Sequence, residues 1–197
     1  MVILAGSYYL PFNSILMNLS NNFKRVLLAV LFLFAMKTTS FAQVSPLVEA
    51  ELQKLGITPP TQPGSGMVIG AVRVGNLIFL SGHGPDKPDG TQIVGKVGAD
   101  LTLEEGQEAA RLTAIALLKT LKAQVGSFDK VKRIVKVLGM VNSAPDFTQQ
   151  PQVINAFSEL MVAAFGQERG SHARSAVGMA GLPSGIAVEI EMIVEVE

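Results

Sequence analysis

The C-terminal stretch Ile186-Ala187-Val188-Glu189-Ile190-Glu191-Met192-Ile193-Val194-Glu195-Val196-Glu197 alternates with period two. That period defines a strand, because successive side chains leave a pleated strand on opposite sides. Ile186, Val188, Ile190, Met192, Val194 and Val196 share one side and read as core. Glu189, Glu191, Glu195 and Glu197 share the other, with Ile193 among them. Like charges on one sheet face repel unless water or a cation answers them. Ala173-Arg174-Ser175 lies a short way upstream. Arg174 is a candidate ion-pair partner for a strand glutamate, or equally a holder of an anionic ligand.

Working back from this strand, Gly70 to Val74, Gly75-Asn76 and Leu77 to Ser81 read as a β-hairpin, with Gly75 and Asn76 supplying the positive-φ turn. Thr102-Leu103-Glu104-Glu105 has the spacing of a capping box. It predicts a helix to Val125, with Ala110, Ala114, Leu117, Leu118 and Leu121 as the apolar stripe and Gly126 as the stop. Val131 to Val141 is an apolar run interrupted by Lys132, Arg133 and Lys136, with Ile134-Val135-Lys136-Val137-Leu138 at its centre, and reads as a central strand. A second helix is expected from about Gln149 to Phe165, ended by Gly166. Strands near Arg174 to Ala180 and Ile186 to Glu197 complete the order β-β-α-β-α-β-β. That order predicts an α+β domain: a mixed sheet with two helices packed on one face. The other face, carrying Ile193 and Glu189, has no helix left to cover it, so another subunit is the economical cover.

The chain has 197 residues, with 16 basic and 16 acidic side chains. A neutral balance argues against a phosphate-backbone footprint, and no nucleic-acid partner is expected. Cysteine is absent, which excludes disulfides and thiolate chemistry. Two histidines, His83 and His172, do not make a histidine-rich metal site. Neither metal nor cofactor is expected.

The N-terminal part reads differently. Lys24-Arg25, the apolar run Val26 to Met36, and Ser40-Phe41-Ala42 have the basic, apolar and small-x-small layout of a secretory signal. The run is shorter than the roughly 20 residues a spanning helix needs, so cleavage after Ala42 is expected rather than a retained anchor. Residues 1–42 are therefore assigned to the signal, with translation starting at Met17 and residues 1–16 an over-extended start. The protein is expected to be exported, periplasmic or secreted, with no stable membrane span after cleavage. Residues 43–66 read as a short amphipathic helix, Leu47 to Leu55, followed by a Pro- and Gly-rich linker. Residues 67–197 form the main domain.

Four blocks of that domain resemble one family: Gly75-Asn76-Leu77-Ile78-Phe79-Leu80-Ser81-Gly82, Ala173-Arg174-Ser175-Ala176-Val177, Leu182-Pro183, and Val188-Glu189-Ile190-Glu191. They look like the successive blocks of the RidA family, also called YjgF or endoribonuclease L-PSP, in the branch with an N-terminal extension. The resemblance runs from about Gly70 to the C-terminus. It implies a chorismate-mutase-like fold and a homotrimer with small carboxylate-bearing ligands in clefts between subunits. In that fold the last two strands need not be neighbours. It also implies hydrolysis of reactive 2-imino or enamine acids to 2-oxo acids and ammonia.

The resemblance assigns roles residue by residue. Arg174 matches the arginine that grips the substrate carboxylate, and Glu189 the glutamate that positions the attacking water. Ser81 matches a cleft serine and Asn155 a cleft asparagine. Ala176 stands where the family has a cleft cysteine, and the expected cleft tyrosine falls near Val68. His83 stands where a neutral polar residue is more usual, and on a regular strand it could share a face with Ser81. The losses at Ala176 and Val68 keep open a rival reading, a trimeric module that binds small carboxylates or protects other proteins without turnover. Ribonuclease activity follows only from one of the family's labels.

Overall fold

The computed structural model describes residues 67–197. The expectations for the signal segment and for the helix and linker of residues 43–66 lie outside the described residues. The described residues form five strands and two α-helices: β1 (Ala71–Val74), β2 (Leu77–His83), α1 (Leu103–Val125), β3 (Val131–Asn142), α2 (Gln150–Gly170), β4 (Ala173–Met179) and β5 (Val188–Val196). The strands form one sheet in the order β1-β2-β5-β3-β4. β3 and β4 run parallel, joined through α2, and the other pairs are antiparallel. Both helices pack on the same face of this mixed sheet, as the order of elements predicts.

Local chemistry explains each element. The reciprocal cap forms at α1, with Thr102 N donating to Glu105 Oε2 at 2.8 Å and Glu105 N to Thr102 Oγ1 at 3.2 Å. Gly126 ends the helix at φ 73°, a conformation that costs glycine little. All five residues of the expected α1 stripe are buried. Much of that face is alanine, which lets the helix lie close to the sheet. α2 buries Val153, Ile154, Phe157, Met161 and Phe165. Each such side chain contributes about 1.5–3 kcal/mol by leaving water. Two details differ from the expectation. In the hairpin turn only Gly75 has positive φ, at 60°, so one glycine supplies the reversal in the manner of a II′ turn. Gly166 breaks the helical dihedrals, with φ 76° and ψ 165°, but one further turn carries α2 on to Gly170.

β4 and β5 follow each other in sequence yet flank β3. Their connection must therefore pass over the end of β3, a span of about 10 Å at ordinary strand spacing. Asn142, the last residue of β3, anchors it: its N–H donates to Ala187 O at 2.9 Å and its Nδ2 to Gly185 O at 3.4 Å. Lys96 Nζ ties the same end together through Asn142 Oδ1 (2.9 Å) and Ala180 O (2.8 Å). On β5 the burial alternates as the sequence requires, with Val188, Ile190, Met192, Val194 and Val196 all in the core.

Candidate functional site

The inward positions of β4 are set by β3. Arg174 is in register with Val137, which is fully buried against the helices. Arg174 therefore leaves the sheet on the helix side, at its outermost strand, and its guanidinium reaches the first turns of α2. Nη1 donates to Asn155 Oδ1 and to Ser158 Oγ, both at 3.0 Å, and Nη2 donates to Pro151 O at 3.4 Å. Residues 151, 155 and 158 are spaced i, i+4, i+7, so one face of α2 presents all three. All three partners are neutral. A guanidinium has five N–H donors. Nε–H and one Nη2–H take no partner among the described residues, and the Nε/Nη2 side of a guanidinium is a fork that suits a carboxylate.

Ser158 is held in turn. His172, two residues before Arg174 on extended backbone, contacts Ser158 Oγ through Nε2 at 3.0 Å and Gly170 O through Nδ1 at 2.7 Å. Burial pushes the His172 imidazole below its ordinary value. The bond to the Gly170 carbonyl pulls the other way, and the charge of Arg174 adds to the downward push.

Glu189 lies on the opposite side of the sheet. Its neighbours Val188 and Ile190 point into the core, so its carboxylate stands on the face that no helix covers. There it lies over Gly82 of β2, where a Cβ would collide with the carboxylate. Arg174 and Glu189 of one chain thus face away from each other, with β3 between their strands. The ion pair between Arg174 and a glutamate of the last strand, open on sequence grounds, is not formed within the chain.

Ser81 and His83 are also separated. β2 pairs with β5 at Leu80↔Met192 and again at His83↔Ile190, so Ser81 and Gly82 together oppose one residue of β5. This bulge shifts the alternation by one place. Ser81 lines a groove on the uncovered face, and its Oγ donates to Ile69 O at 2.7 Å. His83 turns to the helix side, where Nε2 meets Thr120 Oγ1 of α1 and Nδ1 meets Ser81 O, both at 2.7 Å. Both ring nitrogens are engaged, and the shared face open to the pair on a regular strand is not realised. Ala176 packs against the core opposite Gly139. Val68 is exposed next to the similarly exposed Met67 and Ile69.

The groove on the uncovered face has a volume of about 480 Å³ and is lined by Val72, Phe79, Ser81, Lys136, Glu191 and Ile193 among others. Lys136 Nζ donates to Ser175 Oγ at 2.9 Å on its floor. Val72, Val74, Phe79 and Val177, all on this face, are exposed. Among the described residues, no three His, Asp or Glu side chains converge as a metal set, and no helix is long and apolar enough to cross a membrane.

Ser158 and His172 were not identified as site residues from the sequence. The signal was present in their spacing: Ser158 sits three residues after Asn155 on a helix, and His172 two before Arg174, just ahead of β4. Only the docking angle of α2 against β4, which no local pattern encodes, brings the two pairs together.

The family model described as Endoribonuclease L-PSP matches residues 65–196. Protein TCP17 of Trypanosoma cruzi is 43% identical over 149 residues, spanning 75% of this chain and 93% of that protein. A crystal structure of a protein of unknown function from Agrobacterium tumefaciens matches with a TM-score of 0.70 at 38% identity, covering 80% of this chain and 98% of its own. A crystal structure from Shewanella oneidensis described as an endoribonuclease matches with a TM-score of 0.68 at 26% identity, covering 76% and 99%.

Proposed function

As this chain belongs to the endoribonuclease L-PSP family, that is, the RidA family, we propose that it hydrolyses small reactive 2-imino or enamine acids to 2-oxo acids and ammonia. The observation that carries this reading is the state of Arg174: a cation with only neutral partners and two N–H donors unused among the described residues. An imino acid offers a carboxylate to those donors and an electrophilic carbon beside it. Water adds to the carbon, the C–N bond breaks, and ammonia leaves as the carbonyl forms. Glu189 is the group that orients the water and accepts its proton. The demand on catalysis is modest, because imines already hydrolyse in water.

Because Arg174 and Glu189 of one chain face opposite ways, a ligand that meets both must sit between two chains. A homotrimer with clefts between subunits meets that requirement. It would also cover the exposed Val72, Phe79 and Val177. The neutral charge balance disfavours RNA as the substrate. Export, proposed from residues 24–42, would place the activity away from cytoplasmic imine sources. The rival reading, a carboxylate-binding module without turnover, is favoured by one observation: Ala176 is turned to the core and offers no polar group to a cleft.

The test is ammonia release from 2-iminopropanoate generated in situ. The purified protein should accelerate it, and Arg174→Ala should lose most of the acceleration. Equal rates for the two proteins, or no acceleration by either, would remove the enzymatic reading. Carboxylate binding that needs Arg174 without turnover would establish the binding module instead.

A further inference from the structure

Arg174 is held by α2, and part of that grip is itself held. His172 is fixed from three directions. Nδ1 lies 2.7 Å from Gly170 O, Nε2 lies 3.0 Å from Ser158 Oγ, and the ring meets Phe157 edge-on, centroids 6.0 Å apart and planes at 80°. A carbonyl oxygen only accepts, so in the neutral ring the proton sits on Nδ1 and Nε2 is left as an acceptor. Ser158 then donates its single proton to Nε2. Its lone pairs are left to accept from Arg174 Nη1 at 3.0 Å. The three groups form a chain in which each donor has one acceptor and the directions are fixed.

We propose that Ser158 and His172 are positioning residues that aim the Arg174 guanidinium, with His172 acting through Ser158. This rests on the reading of Arg174 as the carboxylate-binding group, and it specifies the regulation of that site. With Nη1 held by Ser158 and Asn155, the Nε and Nη2 hydrogens are the edge presented to a carboxylate. Pro151 O, at 3.4 Å, is the weakest of the three partners and yields first.

Protonation of His172 reverses the chain. Nε2–H now needs an acceptor and competes with Arg174 for the lone pairs of Ser158. The Ser158 proton loses its acceptor, and a second cation stands beside the guanidinium. Arg174 is then held at Nη1 by Asn155 alone. Burial disfavours the protonated ring. The charged groups around the ring are few. Arg174 approaches from β4. Arg133 of β3 and Glu195 of β5 line a second groove, to which His172 also contributes, and they are in register with each other. From α2, Phe157, Ser158 and the Gly170 carbonyl meet the ring, all of them neutral.

The experiment measures pyruvate binding to the full-length protein by calorimetry from pH 5 to pH 8. Pyruvate is the product of 2-iminopropanoate hydrolysis. Binding should be constant above the ordinary imidazole range and weaken as one proton is taken up below it. His172→Gln, whose amide oxygen can accept from Ser158 but cannot titrate, should lose the acid limb. Ser158→Ala should weaken binding roughly tenfold at neutral pH, as loss of a charge-assisted bond does, and Ser158→Thr should restore it. An unchanged pH profile in His172→Gln, or wild-type affinity in Ser158→Ala, overturns the proposal.

A second readout needs no ligand. In the wild-type protein the Arg174 guanidinium NMR signals should shift with the same midpoint as the His172 ring, and Arg174→Gln should raise that midpoint. Independent titrations overturn the positioning chain whether or not pyruvate binds. Coupled titrations without pyruvate binding support the chain and count against the carboxylate reading alone.

Discussion

Gly82 has no side chain, and the Glu189 carboxylate occupies the space that a methyl group there would need. The proposed water-positioning group is thus placed by an absence on the neighbouring strand. Gly82→Ala should leave stability nearly unchanged, since only the end of a flexible side chain must move. It should lower kcat for imine hydrolysis by roughly tenfold or more, because small displacements of a reacting group are costly. Thermal unfolding and steady-state ammonia release on one sample check both halves. His172 gives a stability prediction at the same scale. Its folded value lies below the ordinary 6.5, chiefly through burial. The unfolded chain therefore binds the proton more readily, and the contribution to stability is complete above pH 6.5 and is lost as pH falls below it. Denaturant midpoints measured across that window should decline on the acid side in the wild type, and less steeply in His172→Gln.

Among these residues, Arg174 and Glu189 were legible as candidates because each stands in a recognisable block, whereas Asn155 was matched outside the four blocks. Ser158 and His172 belong to no block. The separation of Ser81 from His83 was hidden for another reason: one extra residue in β2 inverts the alternation, and alternation is what a sequence reading relies on.

At the scale of elements, the helix side of the site depends on how closely α2 approaches β3. Gly139 permits that approach, since a Cβ there would press into the side chain of Ile154. Ile154 is fully buried and precedes Asn155 on the same helix. Gly139→Ala should destabilise the fold by about 1–3 kcal/mol through overpacking. It should also weaken carboxylate binding, because lifting α2 moves Asn155 and Ser158 away from Arg174. Chemical denaturation and calorimetric titration of the variant check the two effects together. The elements themselves were legible wherever local chemistry acts alone: the Thr102–Glu105 box, the alternation of β5, the stop at Gly126. Gly166 shows where that ends. A glycine with positive φ marks a break, but contacts beyond the break decide whether a helical turn resumes.

At the scale of the whole molecule, the sheet has one face under helices and one without. Among the described residues, nothing covers Val72, Val74, Phe79 and Val177. The strand order β1-β2-β5-β3-β4 places Glu189 on that uncovered face and Arg174 at the far edge, on the helix side. Neither β4's edge position nor its parallel pairing with β3 can be read from periodicity, because the short link from β4 to β5 suggests a hairpin that does not form. The physical consequence is that one chain cannot present its arginine and its glutamate to one small ligand. We propose that two chains do so together. Arg174→Ala and Glu189→Gln, each inactive alone, can be unfolded together in equal amounts, refolded and assayed for ammonia release from 2-iminopropanoate. Random assembly should restore about a quarter of the wild-type rate, the share of clefts that receive an intact arginine from one chain and an intact glutamate from its neighbour. A mixture no more active than its components, under conditions in which refolded wild-type protein is active, would rule out a site shared by two chains.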